Sequence, residues 1–469
     1  MKAAIAEYNS TLIPLAEAFN ESGHSLYLVG GSVRDALLGV LGHDLDFCTD
    51  ARPEVIYEIL DKCCETVWDT GIRFGTVSAS FNGQIIEITT FRADEYDGET
   101  RKPVVSFGDN LDGDLVRRDF TVNAMALELR ADGNHEFHDP LAGLVAMDDG
   151  QLDTPCEPDI SFHDDPLRIL RAARFVAQLD FRVSDRVFEA MTSMAEELKR
   201  ISAERVRQEL DKLMLSPYPW KGIDLLCATG VADVIFPEIP ALKLAPDEHF
   251  RHKDVYQHSL KVLQQAMEQE PAGEPDLVLR WAALLHDIGK PSTRDVRADG
   301  GVTFYNHAAV GAKLAKKRMR ALTYSNQMIK DVANLIFLHM RFYGYSEGEW
   351  TDSAVRRYVA DAGPQLDQLN KLTRADCTTR NQRKANRLRR AMDQLEERIV
   401  ELKKQEDLAK VRPALDGNAI MEILNLKPGP MVGKAWNYLK DLRLEYGPMD
   451  HDESVARLKA WAAENGIEA

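Results

Sequence analysis

The chain has 469 residues, six cysteines and a formal net charge of −17, with 44% hydrophobic and 28% charged residues. That length holds several modules with cores of their own, and the acidic balance excludes broad, sequence-blind nucleic-acid binding, so RNA contact has to come from local basic patches. The cysteines form no CxxC pair, no apolar run reaches membrane-spanning length, and the N-terminus lacks the apolar core of a signal peptide; reduced thiols in a soluble cytoplasmic protein are expected.

The first strong element is the apolar run 26–29, which predicts a buried strand, followed by a sharp turn at Gly30-Gly31. Ser32 is placed to cap a helix over 33–38, with Arg34 in its first turn, and an exposed helix N-terminus beside an arginine suits a phosphate. A second strand over 44–48 puts Asp44 and Asp46 on one face. Two carboxylates so close repel unless a divalent cation joins them, and hard oxygen ligands suit Mg²⁺. Further strands are expected at 75–81, 84–91 and 134–138. In the second of these, alternation sets Glu87 opposite Ile86 and Ile88, making it a candidate third carboxylate. Residues 92–107 are polar and Gly/Pro-punctuated and read as a mobile surface loop. The paired Arg117-Arg118 before Asp119 offers guanidinium forks for phosphate oxygens.

Near residue 150 the character changes from short strands to helical periodicity. Asp165, Arg168, Arg171 and Arg174 recur every three residues, with Pro166 suited to a first helical turn, and so fall in a slowly drifting line down one helix face. Six of the twelve histidines lie between 249 and 339. Farther on, Arg380, Lys384, Arg387 and Arg390 share one side of a basic helix that can face a phosphate backbone.

Gly30-Gly31-Ser32-Val33-Arg34-Asp35 with Asp44-Leu45-Asp46, Arg117-Arg118-Asp119-Phe120-Thr121-Val122-Asn123-Ala124, Asp164-Asp165-Pro166-Leu167-Arg168 and Glu204-Arg205-Val206-Arg207-Gln208-Glu209-Leu210 together resemble the motif set of class II nucleotidyltransferases. That family comprises bacterial CCA-adding enzymes and poly(A) polymerases. The resemblance implies an α+β fold: a head related to DNA polymerase beta with a mixed sheet, an all-α neck, a helical body and a helical tail. It also implies a flexible loop at 92–107, which relatives adding only CC lack. Asp44 and Asp46, with Glu87, become the catalytic carboxylates. Gly30, Gly31, Arg34, Arg118 and Asp119 are expected at the nucleotide, and Asp165, Arg168, Arg171 and Arg174 at its base. Cytosine and adenine each offer an amino donor beside a ring-nitrogen acceptor, which one carboxylate and one guanidinium can read, whereas uracil and guanine present the reverse order. The helix around 201–210 is expected to brace the base-reading helix.

His258, His286-Asp287, His307, His339 and Asp376, with Leu284-Leu285-His286-Asp287-Ile288-Gly289-Lys290, resemble the HD superfamily. The resemblance implies one or two ions such as Mn²⁺, Ni²⁺ or Mg²⁺, in either a scaffold or a phosphohydrolase. The implied substrates are CTP, ATP and the tRNA 3′ end, with no membrane or DNA partner; the oligomeric state stays open. Expected divisions are a head at 1–150, a neck at 151–245, an HD domain at 246–400 and a tail at 401–469. A poly(A) polymerase is the first alternative, disfavoured because residues 38–60 carry no basic insertion. The others are an HD phosphohydrolase with a degenerate head and a non-catalytic RNA-binding scaffold.

Overall fold

Chain order supplies seven strands to one sheet: β1 (Leu26–Val29), β2 (Asp44–Thr49), β3 (Thr66–Trp68), β4 (Thr76–Phe81), β5 (Gln84–Thr90), β8 (Ala126–Glu128) and β9 (Glu136–His138). In the computed structural model they are ordered β3-β4-β5-β2-β1-β8-β9. Only β2 and β5 run parallel; every other neighbour is antiparallel. The structure describes residues 5–42, 44–95, 104–108, 110–243, 254–298, 301–343, 350–377, 382–406, 408 and 412–467. It divides into two compact units, Met1–Ile235 and Phe236–Ala469.

One face of the sheet is covered by helices; the other is closed only at its β1–β8 end, where Val29, Cys48, Phe91, Leu115, Ala124 and Ala126 form a smaller cluster, and is open over β5, β4 and β3. Leu45 and Phe47 of β2, Val77 and Ala79 of β4 and Ile86 and Ile88 of β5 pack against Leu12, Leu15, Ala16 and Phe19 of the helix Asn9–Glu21 and against Ile56, Ile59 and Leu60 of Pro53–Cys63. The helical residues recur at the three- and four-residue spacing of a buried stripe, the strand residues at every second position. The same alternation turns Asp44, Asp46, Ile85, Glu87, Ser78 and Trp68 onto the opposite, open face.

Residues 92–107 differ from the loop expected. Their two ends are strands, β6 (Arg92–Glu95) and β7 (Val104–Phe107), paired antiparallel as a ribbon, and residues 96–103 lie outside the described residues. After the sheet the unit is mainly helical. Leu167–Leu179 buries eight of its thirteen side chains and packs against Ala203–Leu215 and Pro219–Ala228.

The second unit is almost entirely helical. Its centre is Leu277–Leu285, whose residues from Leu279 onward are all buried, among Val255–Met267, Asn326–Leu338 and Leu366–Asp376. Among the described residues, no helix is long and apolar enough to cross a membrane.

Candidate active site and metal cavity

The Gly30-Gly31 turn feeds the helix Gly31–Leu38. Gly30, at φ +66°, is the residue before it, and a Cβ there would lie 2.9 Å from an Arg118 terminal nitrogen. Only glycine satisfies both the left-handed backbone and that approach. Ser32 does not cap this helix. It is buried, and its Oγ accepts the Asp46 N–H at 3.0 Å and reaches the Asp44 carbonyl at 3.5 Å. The turn thus fixes the β2 backbone between the two aspartates.

The parallel register sets Asp46 beside Glu87, so Asp44, Asp46 and Glu87 share the open face. Asp46 meets solvent on one side and protein on the others. That desolvation, and then the Glu87 carboxylate, hold it above the ordinary carboxylate range against the opposing pull of Arg118. Asp46 and Glu87 line a cleft of about 340 Å³ together with Arg92, Arg117, Arg118, Asp119, Asp165, Arg168 and Arg171.

Buried partners aim the arginines. Arg118 gives Nε (3.2 Å) and a terminal nitrogen (2.8 Å) to Asp114, leaving its other terminal nitrogen over the glycine turn. Arg171 pairs with buried Asp119 at 2.6 Å. Burial alone would raise Asp119, but Arg171, the Asn123 amide and the Phe120 N–H hold it below the usual range. Arg168 donates to the Ser161 Oγ at 2.7 Å and to the Arg117 carbonyl at 2.5 Å.

One expectation needs correction. Asp165 is not in the helix with the arginines: it is extended (φ −138°, ψ 96°) between the helices Pro158–Asp164 and Leu167–Leu179, because Pro166 breaks the run. It reaches the cleft from that joint, its carboxylate 3.3 Å from Arg205. Arg34 is buried, donates to Asp35 (2.9 Å) and Asn123 (2.6 Å), lies over the Phe175 ring and brings a terminal nitrogen within 3.5 Å of where a Gly31 Cβ would sit. Arg174 donates to Glu209 at 2.7 Å, which ties Leu167–Leu179 to the helix Ala203–Leu215. Burial, outweighing the Glu209 attraction, holds Arg174 below its usual range.

In the second unit the six expected residues converge. His258, His286 and Asp376 form one trio and Asp287, His307 and His339 another, the ligand atoms within each lying within 4.8 Å. Nδ1 of His286, His307 and His339 lies 2.6–2.9 Å from the carbonyls of Ala283, Phe304 and Ile336, so these rings turn their Nε2 edges inward. Asp287 spans both trios, with Oδ2 3.2 Å from His286 and Oδ1 3.4 Å from His307. Burial would raise Asp287, yet His286 and the Lys290 ammonium, 2.5 Å away, hold it well below the usual range. Burial, and next His286, push His339 down to about 4, so it stands neutral as a ligand at pH 7. Gly289 lets this cavity close: a Cβ there would lie 2.1 Å from the His307 carbonyl.

Comparison with known proteins finds family models for both units of the chain. Residues 26–153 match the poly A polymerase head domain, 180–242 the probable RNA- and SrmB-binding site of polymerase A, and 255–402 the HD domain. The A-adding tRNA nucleotidyltransferase of Deinococcus radiodurans is 33% identical over 445 residues, covering 93% of this chain and 95% of that one. The chain belongs to the class II CCA-adding nucleotidyltransferase family. The CCA-adding enzyme of Streptococcus thermophilus is 44% identical over 218 residues, a match spanning 46% of this chain and 52% of that relative. The fold is that of the Bacillus stearothermophilus CCA-adding enzyme solved with CTP, with a TM-score of 0.70, 24% identity and 98% of each chain covered. This nucleotidyltransferase carries an HD domain after the neck, with candidate metal clusters.

Several residues of this class II enzyme's sites were missed in the sequence. Ser161 and the Arg117 carbonyl orient Arg168, and Arg205, inside a motif read only as a brace, touches Asp165. In the HD cavity the Tyr343 hydroxyl donates to Asp376 Oδ2 at 3.0 Å, leaving Oδ1 to face His258 at 3.0 Å. In the basic stripe, Arg387 and Arg390 are exposed on the helix Gln382–Gln405; Arg380 and the Lys384 side chain lie outside the described residues.

Proposed function

We propose that this enzyme builds or repairs the CCA end of tRNA in the cytoplasm, transferring CMP and AMP from CTP and ATP to the RNA 3′-hydroxyl without a nucleic-acid template. The observation that carries the reading is a single cleft lined by both the Asp46–Glu87 carboxylates and the Asp165/Arg168 pair. Three oxygen-donor side chains crowded on one sheet face, one of them held above its usual range, are a fit for a hard divalent cation, which we take to be Mg²⁺ bound by Asp44 and Asp46. Such an ion would lower the hydroxyl's pKa and offset the charge gathering on the leaving pyrophosphate.

The protein's own groups do the rest. Glu87 stands where it can accept the hydroxyl proton. As the 3′-oxygen bonds to the α-phosphorus and the bridging oxygen departs with pyrophosphate, the Gly30-Gly31 turn and Arg118 steady the triphosphate. Asp165 accepts from the amino group of cytosine or adenine, Arg168 donates to the ring nitrogen, and Arg171 and Asp119 hold the wall beside them.

A second reading has its own support: the relative aligned along nearly all of this chain is an A-adding enzyme. Transcripts of tRNA ending before CCA, before CA and before A, each incubated with one nucleotide at a time, decide between them. CCA addition extends the first two with CTP and the third with ATP; A addition extends only the third.

We further infer that the HD cavity, within a domain near residues 246–400, hydrolyses phosphoesters with Mn²⁺, Ni²⁺ or Mg²⁺ held by its two trios. Inward Nε2 atoms and the two-sided Asp287 support this. Metal-dependent phosphate release from 2′,3′-cyclic or 2′-nucleotides is the expected result, and no release across a panel of divalent metals overturns it.

A further inference from the structure

We propose that the open face of the head sheet, from Ile85 to Trp68, is the platform on which the 3′-terminal bases of the acceptor RNA stack. Strand register carries the argument. Asp46 pairs with Glu87, Glu87 with Ser78, and Ser78 with Trp68, so these four side chains form one row across β2, β5, β4 and β3 on the uncovered face. The neighbouring row runs Asp44, Ile85, Ser80, Thr66. Three strand spacings place Trp68 about 14 Å from Asp46, a distance of a few nucleotides along a single strand.

The face is otherwise polar, and two large apolar residues interrupt it: Trp68 is 40% exposed and Ile85 51% exposed. The sheet's own core does not use them, because alternation sends their neighbours Val67 and Ile86 to the helices. In-line displacement puts the attacking and leaving oxygens on opposite sides of the phosphorus. The glycine turn and Arg118, which take the triphosphate, lie on the β1 side of the aspartates, because Gly30 follows β1 and Arg118 reaches over it. The RNA strand therefore leaves the carboxylates on the other side, over β5 and β4 and across to Trp68. Aromatic side chains on an open sheet are a sequence-tolerant surface for unpaired bases. Arg73, exposed on the turn between β3 and β4, supplies a cation for the RNA backbone.

The inference rests on the tRNA-end reading for its occupant, and its test separates the two. The full chain is given tRNA transcripts with 2-aminopurine one to three nucleotides from the 3′ end. Fluorescence is quenched on binding to the unaltered protein, released in Trp68→Thr and retained in Trp68→Phe, while the KM for RNA rises about tenfold in Trp68→Thr and the KM for CTP or ATP stays put. Threonine suits an exposed edge strand, and circular dichroism checks the fold. Ile85→Thr moves RNA binding the same way by less, and serves if Trp68→Thr fails to fold. Unchanged quenching in both folded threonine variants overturns the platform. A wild-type protein that quenches the probe but extends no transcript overturns the transfer reading and leaves the platform standing.

Discussion

The head cleft and the HD cavity both gather carboxylates, and they do it in opposite ways. In the head, Asp44 and Asp46 stand on a solvent-facing strand, and the nearby arginines are held by Asp114, Asp119, Ser161 and a main-chain carbonyl. In the HD cavity, His286, Asp287, His307 and His339 are buried and their tautomers are set by carbonyls. An open carboxylate pair binds an ion that arrives with a triphosphate and leaves with pyrophosphate. A buried imidazole–carboxylate cage pays its desolvation on folding and is suited to a resident ion. The contrast teaches that ligand burial, more than ligand identity, separates a travelling metal from a kept one.

The sharpest way to break this contrast is to remove each set in turn. Asp44→Ala with Asp46→Ala should cut nucleotide transfer by roughly a thousandfold or more and leave HD phosphate release intact, while Asp287→Ala does the reverse. Loss of both activities from either change would show the sites are not independent. Next in size, Asp165→Ala should keep the fold and lower the preference for CTP and ATP over UTP and GTP by roughly 10- to 100-fold; retained preference refutes readout by protein groups. Gly289→Ala should destabilise the second unit by about 2 kcal/mol through the clash at the His307 carbonyl, seen as a lower Tm and weaker metal retention with transfer unchanged. Arg387→Ala with Arg390→Ala should weaken tRNA binding and lower its salt slope by about two, sparing nucleotide binding. The smallest effect concerns acid. Asp119 has a folded pKa below its unfolded value, so its contribution is complete above the ordinary carboxylate pKa and is lost as pH falls through the folded one. Asp119→Asn should therefore flatten the acid limb of the stability profile, measured as Tm against pH, without shifting the neutral-to-alkaline side.

Much of this was legible because local pattern and chemistry coincide. Period-two alternation marked the strand carrying Asp44 and Asp46 and set Glu87 apart from Ile86 and Ile88, and the His-Asp pair with its distant partners marked the cavity. Pattern could not say where a charged side chain goes once other elements arrive. Arg34 and Arg174 carry the residue type a phosphate or base needs, but nothing local announced their protein partners Asn123 and Glu209, 89 and 35 residues away. Asp165 kept its place at the cleft and lost its place in the helix to Pro166. Ser161 was invisible as a site residue and Ser32 was read only as a cap, since a serine's importance lies in what it meets: the β2 backbone for Ser32 and the Arg168 guanidinium for Ser161.

The lone parallel pairing in the sheet has a consequence for synthesis of the chain. Most antiparallel neighbours here are consecutive strands that pair as the ribosome delivers them, but β2 waits for the helix Pro53–Cys63, β3 and β4 before β5 can lie beside it, and β1 waits longer still for β8. The row of Asp46 and Glu87 therefore does not exist until residue 87 and its flank have emerged. When β5 docks, a one-residue slip would bury Glu87 and expose Ile86 and Ile88, so the hydrophobic core proofreads the alignment of the three carboxylates.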